Sequence, residues 1–410
     1  MEKQINPLTA VTGHDPYPYY AELVAQIPLQ RHEAIGMWIS ASAEAVMAVL
    51  QSEHCRVRPP DEPIPRHLLG SPVAAAFGQF IRMNDRSDRC PLKHAVATTF
   101  TTIDAQQTAK ATANAARLLT AGWKGAGSPE EITDFGFRLS TYTIAELLGL
   151  PANELPQIAI WLAAFVRCLA PGSDATQLAA GATATTKLLT ALYTALTDAQ
   201  AQGRVTLLTM LAVNVTQPGH TDPEIIVANA LGFLMQAYEA TAGSIGNTLI
   251  ALAADDALCS QARNDPNIIP ALVAEVLRHD SPVQNTRRFV AEDCVLAGQR
   301  LRAGDAILVV LAAANRDPAA NPRPATFDLT RSARRSFTFG AGVHACPGAE
   351  IAALIAAAGV AQLLTRGVEP ARLAEGHTYY PSANVRIPHF VTKHAAVSAT
   401  SEQPQAKEQR

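Results

Sequence analysis

Cys346 has the strongest claim to chemistry of any residue in this chain. It stands in Ser336-Phe-Thr-Phe-Gly-Ala-Gly-Val-His-Ala-Cys346-Pro-Gly-Ala-Glu350, a glycine-punctuated loop that runs into an Ala-rich segment. A cysteine does chemistry as its thiolate, which a metal or the N–H groups at a helix start keep ionised. Gly340 and Gly342 would let such a loop come close to a flat group, because no side chain intervenes. A lone cysteine ahead of an Ala-rich helix also reads as a plain buried apolar residue. The second candidate is Glu239, in Met235-Gln-Ala-Tyr-Glu239-Ala240-Thr241. A carboxyl in so apolar a stretch either moves protons or pairs with a cation. The third is Glu275-x-x-Arg278, whose spacing puts an acid and a base on one helix face and is common in any charged helix.

Helices are needed to position all three. Thr221-Asp-Pro-Glu224 is a helix start, with Thr221 as N-cap candidate, Pro223 in the first turn and Glu224 at capping-box distance. Ile225 to Ala253 follows without proline, roughly 29 residues or about 43 Å at the helical rise. Apolar residues recur at three- and four-residue spacing over 132–150, 155–169, 176–202 and 205–213, which predicts four further helices. Trp38-Ile-Ser predicts a strand and Ser42 caps a helix that runs to Leu50. Four prolines between Arg58 and Pro65 forbid regular structure there. Glu275 and Arg278 fall on a helix after Pro270, followed by strands with turns at Gly298 and Gly304.

The string Phe339-Gly-x-Gly-x-His344-x-Cys346-x-Gly348 resembles the haem-ligand signature of the cytochrome P-450 family, with all six fixed positions present. Pro347 departs from the Leu frequent there and removes one N–H from the sulfur's surroundings. The resemblance covers about residues 15–395. It implies a mainly α fold with a small β lobe, a triangular helical body with the haem between the long distal helix and the Cys loop with its following helix. It implies a single catalytic domain over residues 1–397, β-rich near 30–60 and 285–310, while the polar residues 398–410 are expected to form a disordered tail. The cofactor implied is haem b, iron protoporphyrin IX, with Cys346 as iron ligand. Phe339, Gly340 and Gly348 would lie against it, and His344, Arg288, Arg89 and Lys93 would reach its propionates. The last two occupy the family's His-x-x-x-Arg positions on a helix expected over Asp85–Phe100, with Pro91 in its first turn. Glu275, Arg278 and Arg331 would form the family's structural ion network.

The resemblance also names a substrate side: Leu231, Met235, Gln236, Val283, Asn285 and Val385, the stretch from Ile64 to Phe80, and a helix pair about Ala170–Asp174 as a lid. In the distal motif the acid is kept as Glu239. The next position, normally the threonine that positions dioxygen and relays protons, is Ala240. Thr241 lies about 100° further round the helix and does not substitute. Three explanations stand: a substrate hydroxyl orders the water, Gln236 and Glu239 do so, or the haem performs other chemistry.

Hydrophobic residues make up 48% and charged ones 17%, which gives a sizeable core. A net charge of −3, without basic runs, argues against nucleic acid as a partner. The N-terminus shows no apolar leader pattern, so a cytoplasmic protein that does not insert in a membrane is expected. Six scattered cysteines without CxxC pairing argue against zinc and against a disulfide framework. The leading expectation is a monomeric haem-thiolate monooxygenase of secondary metabolism or catabolism. It would oxidise a small or medium, largely apolar organic molecule with dioxygen and two electrons from a ferredoxin and its NAD(P)H-dependent reductase. Arg334, Arg335 and Lys93 would face that donor, or are ordinary surface charge. The alternatives are atypical chemistry on the same fold, such as peroxide-driven oxidation, cyclisation, coupling or group migration, and a haem protein that binds ligands without turnover.

Overall fold

The computed structural model describes residues 5–26, 28–85, 90–215 and 222–392. Arg89, Thr221 and the tail 398–410 lie outside the described residues. The helices in chain order are α1 (Tyr17–Ala25), α2 (Ala43–Gln51), α3 (Pro72–Gln79), α4 (Cys90–Thr101), α5 (Ala105–Thr120), α6 (Pro129–Leu147), α7 (Leu155–Cys168) and α8 (Ala175–Ala201). They continue with α9 (Leu207–Val215), α10 (Pro223–Ala253), α11 (Asp256–Asn264), α12 (Ile269–His279), α13 (Leu311–Asn315), α14 (Ala349–Thr365) and α15 (Pro370–Ala374).

Five short strands form the main sheet: β1 (Leu29–His32), β2 (Met37–Ser40), β3 (Cys55–Arg56), β4 (Thr286–Val290) and β7 (Ala306–Val309), in the order β1-β2-β7-β4-β3. β2 runs parallel to β7 and the other pairs are antiparallel, so the two β-rich regions of the sequence share one sheet. β5 (Cys294–Leu296) pairs β6 (Gln299–Leu301), and β8 (Thr378–Tyr379) pairs β9 (Pro388–His389).

Local sequence accounts for most helix starts. Ser42 accepts the Ala45 N–H, and Ser128 with Glu131 forms a full capping box at α6. At α10 the cap is Asp222, whose carboxylate accepts from Glu224 N–H at 2.9 Å, with Pro223 at the first helical position. α4 begins at Cys90 and not at Asp85, because Pro91 fits only a first turn, and Asp85 is left off the helix.

α10 is the axis of the helical body and packs on α6, α8, α12, α14 and α15. It is the one helix among the described residues long and apolar enough to cross a membrane, and most of it is buried inside the protein, as a core helix is. Close packing requires its glycines: a Cβ at Gly243 would stand 2.7 Å from the Arg386 carbonyl oxygen and 2.8 Å from Pro282. Residues 226–234 and 241–249 are buried, whereas 235–240 are all half-exposed. A helix buried on every face for nine residues at each end therefore borders a hollow at its centre.

His279, at the end of α12, makes part of this body pH-sensitive. It sits edge-on to Phe327 at 5.2 Å, Arg316 Nη2 donates to its Nδ1 at 3.0 Å, and its Nε2 stands 3.0 Å from the Ala325 carbonyl. Burial first, and then the Arg316 charge, pull its pKa down to about 4. Between pH 6.5 and 4 the unfolded chain binds the proton that the folded chain refuses, so this stabilisation is full above pH 6.5 and is lost as pH falls. Urea titrations should show about 2 kcal/mol less stability at pH 4.5 than at pH 7 from this group. In His279→Gln that component of the pH dependence should vanish.

Candidate functional site

The Cys loop is held from behind by α12 and α13. Asn315 Oδ1 accepts the Phe337 N–H at 2.6 Å, and its Nδ2 donates to Thr338 Oγ1 at 2.9 Å. Thr338 Oγ1 in turn donates to the Leu277 carbonyl. Within the loop, Gly340 N–H reaches Phe337 O at 2.8 Å and Cys346 N–H reaches Phe339 O at 2.9 Å. Gly340 and Gly342 take φ of 70° and 69°, the left-handed region, and a Cβ on Gly342 would press on the Leu50 carbonyl at 3.0 Å. Cys346 is exposed. Burial pushes its thiol pKa up, while the Gly348 N–H that its sulfur accepts and the Arg82 charge pull it down. Because Pro347 carries no N–H, Gly348 supplies the hydrogen bond to the sulfur, and α14 begins one residue later.

Around the wholly buried Glu275 three arginines gather in an ion cluster. Arg278 forks onto it, Nη2 to Oε1 at 2.6 Å and Nε to Oε2 at 3.1 Å. Arg331 adds a contact at 3.4 Å and Arg334 one at 2.9 Å. The cations hold the Glu275 carboxyl below its ordinary pKa against the pull of burial. Arg334 thus belongs to the ion cluster and not to a docking face: its side chain is 19% exposed and turned onto Glu275. Arg331, 8% exposed, is turned onto the same carboxylate.

On the other wall, Met235, Gln236, Glu239 and Ala240 all lie on the half-exposed stretch of α10. Gln236 Nε2 donates back to Gly232 O at 2.9 Å, which ties the amide to its own helix. Glu239 makes no hydrogen bond or ion pair among the described residues, and burial alone raises its pKa. Thr241 faces away from the hollow: it is 1% exposed and its hydroxyl has no partner. Leu231 is fully buried in the helical core and lines no hollow, because one turn before Met235 all faces of α10 are packed. Val283, half-exposed, bridges Val385, and Asn285 Nδ2 donates to Ala383 O at 2.8 Å; Asn285 and Val385 are themselves packed, 2% and 4% exposed, and present no surface to a substrate.

Cations gather at the rim. Lys93 Nζ lies 3.4 Å from His344 Nε2 and 3.9 Å from Asp85 Oδ1, and His344 itself bonds Asp85. With a side chain 17% exposed, Lys93 faces inward and does not form part of an outer docking surface. Arg288 is 6% exposed, bonded to the Arg287 carbonyl, and its pKa is lowered mainly by burial. Sequence reasoning missed Asp85 as a bonding partner, Asn315 as the loop's anchor, and Arg82, whose charge is felt by both Cys346 and Arg288. The accessible Cys346 sulfur, the open, apolar and carboxyl-bearing centre of α10 and the inward-turned Lys93 and Arg288 are the donor set that suits a flat, dianionic iron macrocycle.

A long buried helix that opens at its centre and a glycine-bent loop that presents a cysteine sulfur are the parts from which a haem-thiolate oxidoreductase is built. The cytochrome P450 family profile matches residues 226–366, from the start of α10 through the Cys loop. The chain is 24% identical to the biotin biosynthesis cytochrome P450 of Bacillus subtilis (strain 168), over 86% of this chain and 89% of that one. It is 32% identical to the vitamin D(3) 25-hydroxylase of Pseudonocardia autotrophica, over 66% of each. The crystal structure of CalO2 superposes with a TM-score of 0.78 at 25% identity, covering 94% of this chain and 98% of the other. The chain belongs to the cytochrome P450 family, and its cofactor is haem b.

Proposed function

We propose that this enzyme is a haem-thiolate monooxygenase in which Cys346 ligates the iron and Arg288, Lys93, His344 and Arg89 receive the propionates. The observation that carries this reading is the half-exposed centre of an otherwise buried α10, in a fold whose cysteine loop presents an accessible sulfur. Bound haem supplies the reduction of dioxygen and the transfer of one oxygen atom to substrate. Burial leaves the Cys346 thiol above its ordinary pKa, so bound iron would supply most of what ionises the sulfur, with the Gly348 N–H and the start of α14 favouring that charge. Met235 and Val283 bring apolar surface to a small or medium organic substrate. The electrons come from a ferredoxin and its NAD(P)H-dependent reductase in the cytoplasm. Arg335 and the 79%-exposed Val343 are the exposed residues of the loop side suited to that contact. The relative named for biotin biosynthesis supports a place in biosynthesis.

Glu239 is the proton reservoir in this reading. Its carboxyl has no partner among the described residues, lies on the open centre of α10 and holds its proton to a higher pH than an ordinary glutamate. Ala240 offers no hydroxyl, and its carbonyl is already bonded by Ser244 Oγ at 2.9 Å. The proton therefore leaves Glu239 through water or a substrate hydroxyl. Glu239→Gln should lower dioxygen-dependent product formation about 100-fold, and should lower product formed with added hydrogen peroxide much less, because peroxide brings its own protons. Equal losses in both assays would remove Glu239 from proton delivery. The missing hydroxyl at Ala240 favours one second reading, peroxide-driven oxidation. It would prevail if peroxide sustained turnover and surrogate donors did not.

A further inference from the structure

We propose that Arg386 is a positioning residue for the substrate wall, through which the N-terminal segment 11–14 sets how closely the Val283/Val385 ladder lies against α10 beside its open centre. The inference rests on the haem-thiolate reading and adds to it a determinant of ligand selection that itself touches no ligand.

The ladder has little of its own to hold it. Arg386 N–H donates to Pro282 O at 2.7 Å and Gln284 N–H to Asn384 O at 2.8 Å, on either side of the Val283–Val385 bridge. Val283 is its half-exposed apolar side chain. So short a pairing is not stable by itself in water, and its place comes from what it rests on. One support is α10, just past the open stretch: a Cβ at Gly243, one turn beyond Glu239, would stand 2.7 Å from Arg386 O. Asn247, another turn on and 1% exposed, donates to the Asp280 carbonyl at 2.9 Å and to Arg386 O at 3.5 Å.

The other support is the N-terminal segment. Arg386 is 3% exposed, and its Nη1 donates to the carbonyls of Val11 at 3.0 Å and Gly13 at 2.7 Å, its Nη2 to that of His14 at 2.9 Å and its Nε to Asp280 Oδ1 at 3.1 Å. These carbonyls sit at and just past the 3-10 turn Ala10–Thr12, where the backbone has no helical N–H to offer them. Asp280 also accepts the Tyr17 hydroxyl at 2.8 Å, and the Arg386 guanidinium lies 3.6 Å from the centre of the Tyr379 ring. A buried guanidinium with acceptors on separate segments satisfies them all in one position only. The backbone of Arg386 belongs to the wall and presses on α10, while its side chain belongs to the N-terminal segment. Without that side chain the segment and the ladder come apart, and Val283 is no longer held at one distance from α10.

The test titrates imidazole and clotrimazole against the ferric spectrum of the haem-loaded protein. Both reach iron through one nitrogen, but only clotrimazole has a body bulky enough to meet the wall. Arg386→Gln should weaken clotrimazole about tenfold and change imidazole by less than about twofold. Arg386→Lys, which keeps the buried charge without the fork, should fall between them. Deletion of residues 1–14 should match Arg386→Gln, and the two changes combined should give no further loss, because both break the same contact. Glu130→Gln frees another segment end, held by the Thr392 N–H at 2.8 Å, and controls for lost stability alone; it should leave the clotrimazole-to-imidazole ratio as in the wild type. The proposal is wrong if that ratio is unchanged in Arg386→Gln, if the deletion and Arg386→Gln add, or if Glu130→Gln shifts the ratio equally. The reduced carbonyl spectrum of the same samples reports separately on the Cys346 ligation, so that failure of the underlying reading is told apart from failure at Arg386.

Discussion

Cys346→Ser should lower donor-supported monooxygenation by a factor on the order of 10³, about 4 kcal/mol of barrier, while unfolding in urea changes by less than about 0.5 kcal/mol. The asymmetry follows from where the sulfur sits. Its residue is exposed, contributes no side chain to the core, and is placed by bonds made by its neighbours: Phe339 O to its own N–H, Asn315 to Phe337, and Thr338 to Leu277. None of these uses the sulfur. An alcohol at the same position is a poorer donor that stays protonated at neutral pH, so the loop keeps its shape and loses its charge. A large stability loss in Cys346→Ser would show that the residue is structural, the plain buried-thiol reading that its sequence context also permits.

The opposite pattern is expected behind the site. Glu275→Ala should cost about 3–5 kcal/mol of stability in urea titrations and yield protein that loses haem. Glu275 is wholly buried and three guanidiniums, from Arg278, Arg331 and Arg334, converge on its two oxygens. Its removal leaves Arg278, itself 0% exposed, with only the carbonyls of Asn315, Pro324 and Thr326. Those carbonyls satisfy its N–H groups but not its charge. The same segment reaches the Cys loop through Leu277 and Thr338, so the loss should spread to the ligand loop. Arg334→Ala, which removes one of three cations and a half-buried one, should cost markedly less. Equal costs for Glu275→Ala and Arg334→Ala would contradict this view of the cluster.

Much of this architecture was legible because it is written in short-range patterns. The Cys loop, the uninterrupted α10, the Glu275/Arg278 spacing and the Ser42 cap each depend on residues within a few positions of one another. What was not legible depends on contacts over long separations. Arg334 looks like a surface residue in an Arg-rich loop, and only folding reveals that its partner is 59 positions earlier. Leu231 was misplaced because α10 is apolar on every side, which leaves no polar face to fix its rotation. Asp85 came off its expected helix because the effect of Pro91 on the helix start outweighed the ungapped alignment. Arg82 gave no local signal. Its position is set by Asn229, 148 residues from the N–H it accepts.

The central claim is that one cysteine sulfur, opposite the open centre of α10, binds iron as an anion. It is tested most directly by reconstituting the purified protein with haem b, reducing it and adding carbon monoxide. The account predicts the strongly red-shifted Soret band that thiolate ligation gives, present in the wild type and absent in Cys346→Ser. The same band in both proteins, or its absence from a wild type that has bound haem, would contradict it.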